Sequence, residues 1–543
     1  MEKQAEESVS PTNSNLKAPP AKSYGIKKHW KCLAACTLVS MCPFQYGIDF
    51  GLIGGLQAMI GFLKIFGYRA PELPLGWNIS TERQQLISSL MTLGAFVSSA
   101  GAGPIATVMS RRMTIWAASL LCIVSNILMM ATTDIGGLYA GRLLIGLANG
   151  MFMTFSQLYI QECAPARYRG LMISSFQVWT SVGSLVGTVV DNFTAKIEGR
   201  DSYLIPLGLI YILPAFMSVG LFFIPESPRW LMQHGKIEQA RKALAWHRPY
   251  PQAMIDEEIT DIQAAIEHEN STAQHAGVME MFANPIDRRR TILAVCALTV
   301  QGASGAMYMI AYGTYFFEMA NVGNAFENSC ILIAVGVVAI LINSALVTHF
   351  GRRRVFLIGG LLLCGLAQLL TAILWTVAPG TQATGKGIVG LAVIYILGYN
   401  GMVSTYAWIS GGELPSQRLR SYTFGLATAI GFFAAWLTTF TAPYFINPES
   451  LNWGPKYGYI WTPSCWISAA WVYFFLPEVK DRTLEEIDEM FEARLPAKKF
   501  RKYVCVGRTT GTDSEGEAKR REVVHAEEVS MADGKDAAEA RYS

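Results

Sequence analysis

Charge is what this chain has least of. Only 16% of its 543 residues are Asp, Glu, Lys or Arg, against 51% hydrophobic. Soluble chains carry about 25% charge, so there are too few ionic groups here to coat a water-facing surface of this size. The formal net charge of +3 gives no basis for nucleic-acid binding. The high hydrophobicity also excludes global disorder. Cysteine pairs are missing: the ten cysteines form no Cys-x-x-Cys, and most lie in apolar stretches, as at Cys36, Cys42, Cys122, Cys296, Cys330 and Cys364. The seven histidines show no ligand spacing, so neither a metal site nor a disulfide framework is expected. The polar start of the chain lacks the apolar core of a cleavable secretory signal. No nucleophile–base arrangement or phosphate loop suggests an enzyme, and no cofactor is expected. The glycines sit in apolar stretches, where they permit close helix packing.

What the chain has in quantity is long apolar runs. A spanning helix needs about 20 such residues. Twelve runs qualify: 33–62, 86–109, 114–133, 138–160, 171–191, 204–224, 291–318, 329–349, 354–377, 388–411, 421–446 and 457–476. The first and eleventh are long and rich in Gly or aromatics, so kinks are expected there. The expected organisation is a cytoplasmic tail (1–31), a six-helix bundle (32–224), a cytoplasmic linker (225–290), a second six-helix bundle (291–476) and a C-terminal helix with a disordered tail (477–543). Within the linker, 237–245 and 254–266 are amphipathic and are expected to lie along the membrane face. Lys and Arg cluster at alternate loops, which puts both termini inside, as in a multi-pass plasma-membrane protein. Asn78-Ile79-Ser80 then falls outside and marks Asn78 as a glycosylation acceptor.

The two halves repeat. Arg111-Arg112 answers to Arg352-Arg353, Glu162 and Arg169 to Glu413 and Arg420, and Pro225-Glu226 to Pro477-Glu478, at offsets of 241, 251 and 252 residues. Parallel repeats of this kind are a transporter architecture. The run Pro225-Glu226-Ser227-Pro228-Arg229-Trp230-Leu231 resembles the sugar porter family of the major facilitator superfamily, as do Pro477-Glu478 with Arg482-Thr483-Leu484-Glu485-Glu486. Tyr46-Gly47-Ile48-Asp49 with Gly54-Gly55 resembles that family's first span, and Gly141-Arg142 with Gly146 its fourth. The likeness covers about 30–490 and has the flavour of fungal members. It implies an all-α integral membrane fold: twelve transmembrane helices in two six-helix pseudo-repeats, the major facilitator fold, with intracellular amphipathic helices. It also implies a proton-coupled symporter of a sugar or glycoside working by alternating access. The alternatives are a proton-linked exporter or importer of a polyketide, organic acid or polyol, and a non-transporting sensor. The stretch of about 50 residues after 490 is short for a sensor tail. The partners expected are a small-molecule substrate and the lipid bilayer, with the chain a monomer and the proton as coupling ion.

Ionisable groups inside a bilayer are functional candidates. Counted from Leu33, Asp49 lies ~24 Å from the inner boundary, and Arg142 ~6 Å from the outer one, so the two depths coincide in a core ~30 Å thick. The pair is the expected site of proton coupling, and the resemblance agrees. The resemblance further implies a cytoplasmic salt-bridge latch from Glu162, Arg169, Glu226, Arg229, Glu413, Arg420, Glu478 and Arg482, with Arg111, Arg112, Arg352 and Arg353. The loop after the second span departs from the superfamily pattern by lacking its acid. For substrate, amides and aromatic platforms suit sugar hydroxyls and ring faces. Gln177, Gln301, Tyr308, Tyr312 and Trp408 are the candidates; Tyr312 follows Gln301 by eleven residues and so falls on nearly the same helix face. Gly302, Met307, Gly336 and Gly431 replace polar residues of the family's hexose pattern, and Ala407 replaces a proline. A wider, less polar pocket is expected.

Overall fold

Apolar windows decide the architecture and glycines decide where it bends. The computed structural model describes residues 29–503, apart from 72–75, 165, 198, 249, 273–278, 320–323, 351, 417–418, 481, 483 and 502. Nine helices among the described residues are long and apolar enough to cross a membrane, and two bent helix pairs bring the total to eleven. Gly458–Phe475, at 18 residues, occupies the last expected span. The remaining regular structure is short: a hairpin pairs Tyr68–Arg69 with Trp77–Asn78. The molecule therefore has a hairpin end and, opposite it, a paired-charge end.

The breaks are informative. The first span joins Trp30–Ser40 to Pro43–Leu56 through two residues that keep right-handed helical backbone, then bends by 80° between Leu56 and Ile60. The seventh breaks at Ser304–Gly305, where Gly305 adopts φ +78°. A side chain there would be strained and would strike the Trp461 ring. The tenth span contains a π-helical turn, Tyr399–Ser404, between Gln382–Gly398 and Thr405–Glu413. The eleventh span, Arg420–Ile446, is a single helix with Pro443 in its last turn.

Glycine also sets the closest packing. Gly47 and Gly51 lie against the backbone at Thr180 and Ser184, while Gly183 and Gly187 lie against the backbone at Phe44 and Ile48. The first and fifth spans thus press backbone to backbone, as small residues allow in lipid.

The linker departs from expectation in one respect. Ile237–His247 and Gln252–Thr272 are helices, but their apolar faces cover each other and Pro228–Gln233. Trp230, Leu231, Leu244, Ile255 and Ile259 form that small core. Burial against protein competes with burial in lipid, and here protein wins. The helix Leu484–Glu492 is likewise docked: Ile487 and Phe491 are buried, Asp488 pairs with Arg290, and the Arg290 guanidinium lies 4.8 Å from the Phe491 ring. Residues 1–28 and 504–543, including the expected disordered tail, lie outside the described residues.

Candidate functional site

A cavity lies between helices from the two halves. Gln177, Gln301 and Trp408 line it, along with Tyr46, Phe50 and Phe432. Gln177 Oε1 and Gln301 Nε2 have no hydrogen-bond partner, while Gln301 Oε1 accepts from the Tyr399 hydroxyl at 3.4 Å. Unpartnered buried amides are costly, so these two are ready for a ligand's hydroxyls. Trp408 packs with tilted rings against Phe176 at 5.1 Å and Phe424 at 6.1 Å, an aromatic floor toward the paired-charge end. Gly302, Met307 and Gly431 also line the wall, and none offers a side-chain hydrogen bond.

Tyr308 and Tyr312 are absent from the lining. Tyr308 packs on Tyr457 at 5.2 Å, and the Tyr312 hydroxyl donates to the Thr439 carbonyl at 2.6 Å. The helix-face count from Gln301 fails because Gly305 interrupts the helix and resets its phase. Met307 and Ile310 face the cavity instead. Sequence reasoning also missed Tyr399 and Asn400. Asn400 fills the space over Gly336, where a side chain would collide with its amide. Both follow from the π-helical turn, which shifts the face of the tenth span and is common at functional sites.

Asp49 and Arg142 are each buried, at 1% and 3% exposure. They form no ion pair, contrary to the depth estimate. Asp49 Oδ2 accepts from Asn149 Nδ2 at 2.5 Å, and Oδ1 has no partner. Arg142 donates from Nε to the Ile87 carbonyl at 3.0 Å and lies beside Ile53 and Leu56. Asn149 is two helical turns beyond Arg142, or ~10 Å. Asp49 nevertheless shares its helix with Tyr46, Gly47 and Phe50 of the cavity wall.

The paired charges are built twice, in a different register from that expected. Arg111 Nη2 meets Glu162 Oε1 at 2.8 Å, and Arg353 Nη2 meets Glu413 Oε1 at 2.7 Å. Arg111 therefore corresponds to Arg353, and Arg352 is an exposed residue preceding the helix. Glu226 accepts from the Arg112 backbone N–H at 3.2 Å, and Glu478 from those of Arg353 and Arg354 at 3.3 and 3.2 Å. Each of these acids satisfies a helix N-terminus. Ser227 Oγ donates to Glu162. Arg482 donates to the Tyr503 carbonyl at 2.6 Å and lies 3.6 Å from Glu486. Arg420 begins its helix, Arg229 lies in Pro228–Gln233, and the Arg169 side chain lies outside the described residues.

The hairpin end is sealed by hydrogen bonds between the halves, among them one from the Thr81 backbone N–H to the Glu449 carboxylate at 3.0 Å. Asn447 Nδ2 donates to Gln84 Oε1 at 3.0 Å, and Thr92 and Thr439 hydroxyls meet at 3.2 Å. Asn78, the expected glycan acceptor, is 3% exposed; its Nδ2 donates to Tyr68 and its Oδ1 accepts from Tyr315 at 3.2 Å. In this arrangement the amide has no room for a sugar.

Known proteins share this plan. The chain is 29% identical over 481 residues to the major facilitator-type transporter ecdD of Aspergillus rugulosus, covering 86% of this chain and 88% of that one. It is 30% identical over 466 residues to the high glucose sensor RGT2 of Saccharomyces cerevisiae, covering 83% of this chain but 60% of that protein. The structure of the proton:xylose symporter XylE bound to 6-bromo-6-deoxy-D-glucose superposes with a TM-score of 0.69 at 20% identity, covering 86% of this chain and 100% of that one. Residues 35–491 match the family described as sugar (and other) transporter. This multi-pass membrane protein, with its central cavity and duplicated charge pairs, belongs to that sugar transporter family of the major facilitator superfamily.

Proposed function

We propose that the chain is a proton-coupled symporter that works by alternating access, with the paired-charge end and both termini cytoplasmic, in the plasma membrane. The observation that carries this is Asp49, a buried carboxyl with one free oxygen on a helix that also walls the cavity. Such a group is costly to ionise in a low-dielectric interior, so its proton occupancy follows whichever side admits water. The proton is the coupling ion, and no cofactor takes part. The charge pairs act as a latch that holds the cytoplasmic end closed. Gln177, Gln301 and Trp408 bind the substrate, and the protein works as a monomer.

The ligand is a sugar-like molecule larger than a free hexose. Gly302, Met307 and Gly431 leave one region of the wall wide and apolar, which suits a glycoside or a polyol with an apolar substituent. Transport of labelled sugars and glycosides into cells lacking hexose and disaccharide porters tests the reading. Accumulation should require a pH gradient, and Asp49→Asn should abolish accumulation while counterflow exchange survives. Undiminished accumulation in that variant would sink the coupling assignment. Gln301→Ala should weaken binding ~10-fold, the effect of losing a buried hydrogen bond. Binding without any flux would point to a sensor instead.

A further inference from the structure

A second carboxyl is buried in the fifth span, at the end of a polar row. Gln177, Ser181, Ser184, Thr188 and Asp191 alternate four and three residues apart, which places them on one helix face. The first three line the cavity. Thr188 Oγ1 donates to the Ser184 carbonyl at 2.9 Å, and Asp191 lies beyond it toward the hairpin end. Asp191 is 0% exposed, and neither of its carboxyl oxygens has a hydrogen-bond partner.

Its surroundings explain how such a group is tolerated. A matching row on the first span, Gly47, Gly51 and Gly55, lies against this face, and a side chain at Gly55 would collide with the Asp191 carboxyl. Just beyond Gly55 the first span bends by 80°. Next to it, Gly54 abuts the Ala311 carbonyl of the second half, 3.2 Å from where its Cβ would stand. The outer part of the first span is therefore wedged between Asp191 and the seventh span. The ionisable groups on the packed elements include Cys330 and Glu327 on Ala325–Phe350, Asp201 and Tyr203 on Asp201–Leu209, and Tyr46 and Asp49 on Pro43–Leu56; Cys32 and Cys36 on Trp30–Ser40, Arg142 and Glu162 on Ile135–Cys163, and Glu413 on Thr405–Glu413 are on elements that also pack on this helix. None of them bonds to Asp191; Cys330 donates to the Thr188 carbonyl at 3.5 Å, and Asp49 is held by Asn149.

We propose that Asp191 is a second proton-binding site, which ties protonation to closure of the hairpin end. An ionised carboxylate with no donor and no counter-charge costs several kcal/mol to bury, so closure over Asp191 requires the neutral acid. When the first span tips away from the fifth, water reaches the carboxyl and it can ionise. Closing binds a proton and opening releases one, so rising pH favours the open hairpin end. This does not depend on Asp49, which faces the fourth span.

Spin labels on Glu82→Cys and Leu451→Cys, both exposed and on opposite halves at the hairpin end, report the opening as a distance. The measurement needs no substrate. Between about pH 5 and pH 8 the open-to-closed ratio should rise, by at most ~10-fold per pH unit. The rise should persist in Asp49→Asn and vanish in Asp191→Asn, an isosteric change that keeps the site neutral. Gly55→Ala, which denies the carboxyl its packing surface, should hold the end open even at the acid limit. The proposal is overturned by a distance that ignores pH, by a rise that survives Asp191→Asn, or by a rise that disappears with Asp49→Asn. Because no gradient is applied, failure of the symport reading leaves this result standing.

Discussion

The two halves of this chain share a frame and differ in their interiors. Arg111, Glu162 and Glu226 make the same contacts as Arg353, Glu413 and Glu478. Yet Asp49, Arg142 and Asp191, buried Asp and Arg side chains outside those pairs, all belong to the first half. In the second half, Asp, Glu, Lys and Arg stay near the helix ends, as at Arg290, Arg353 and Arg420. Duplication thus preserved the contacts that set helix ends and let the interior specialise. One half carries Asp49, Arg142 and Asp191; the other adds Gln301, Tyr399, Asn400 and Trp408 to the cavity wall.

The largest test of that comparison is to break the equivalent charge pairs. In the first half the partners are 5% and 9% exposed at their side chains, and in the second half 12% and 21%. Glu162 also accepts from Ser227, so its neutralisation strands a more deeply buried arginine. Glu162→Gln should cost ~3–5 kcal/mol of stability, the range for breaking a buried pair. Glu413→Gln should cost ~1–2 kcal/mol, since water screens its partner. Thermal unfolding of the purified protein in detergent reads both. Equal losses, or the reverse order, would mean that the halves are energetically equivalent despite their different burial.

The helix breaks come next. Gly305 combines φ +78° with contact against Trp461. Gly305→Ala should therefore destabilise by ~2–3 kcal/mol, the strain of the backbone and the overpacking acting together. At the first-span break, Gly54→Ala meets only the Ala311 carbonyl at 3.2 Å and should cost ~1 kcal/mol. The same unfolding measurement decides. A Gly54 effect as large as that of Gly305 would show that the seventh-span break is no more constrained than the first.

These contrasts also show what a sequence can carry. The spans were legible because about 20 apolar residues in a row have few other uses. The charge clusters were legible too, but not their partners. Glu162 and Arg169 recur at the spacing of Glu413 and Arg420, while the observed partner of Glu162 is Arg111 from another helix. Repeat spacing records that a contact was duplicated, not which residue completes it. Depth arithmetic brought Asp49 and Arg142 level, but Asp49 bonds to Asn149, two turns further along that helix. Face counting failed at Tyr312 because of a break at Gly305. Asn400 was missed because a π-helical turn has no residue signature. Asp191 lay at the end of a counted span and was read only as its boundary.

The smallest predicted effect concerns how the equivalent helices begin. Arg111–Ala131 is preceded by Ser110, whose Oγ accepts from the Met113 backbone N–H at 3.3 Å, and Glu226 reaches the Arg112 N–H. Arg353–Val377 is preceded by Arg352, which has an extended backbone (ψ 110°) and no side-chain cap; Glu478 alone serves its first N–H groups. Ser110→Ala should lose ~1 kcal/mol, while Arg352→Ser, at a backbone already suited to a cap, should gain ~0.5 kcal/mol. The two changes act in opposite directions on one measured quantity, the unfolding temperature. If Arg352→Ser instead destabilises, the exposed guanidinium contributes more at that helix start than a hydroxyl cap does, and the second half would begin its helices by a different rule from the first.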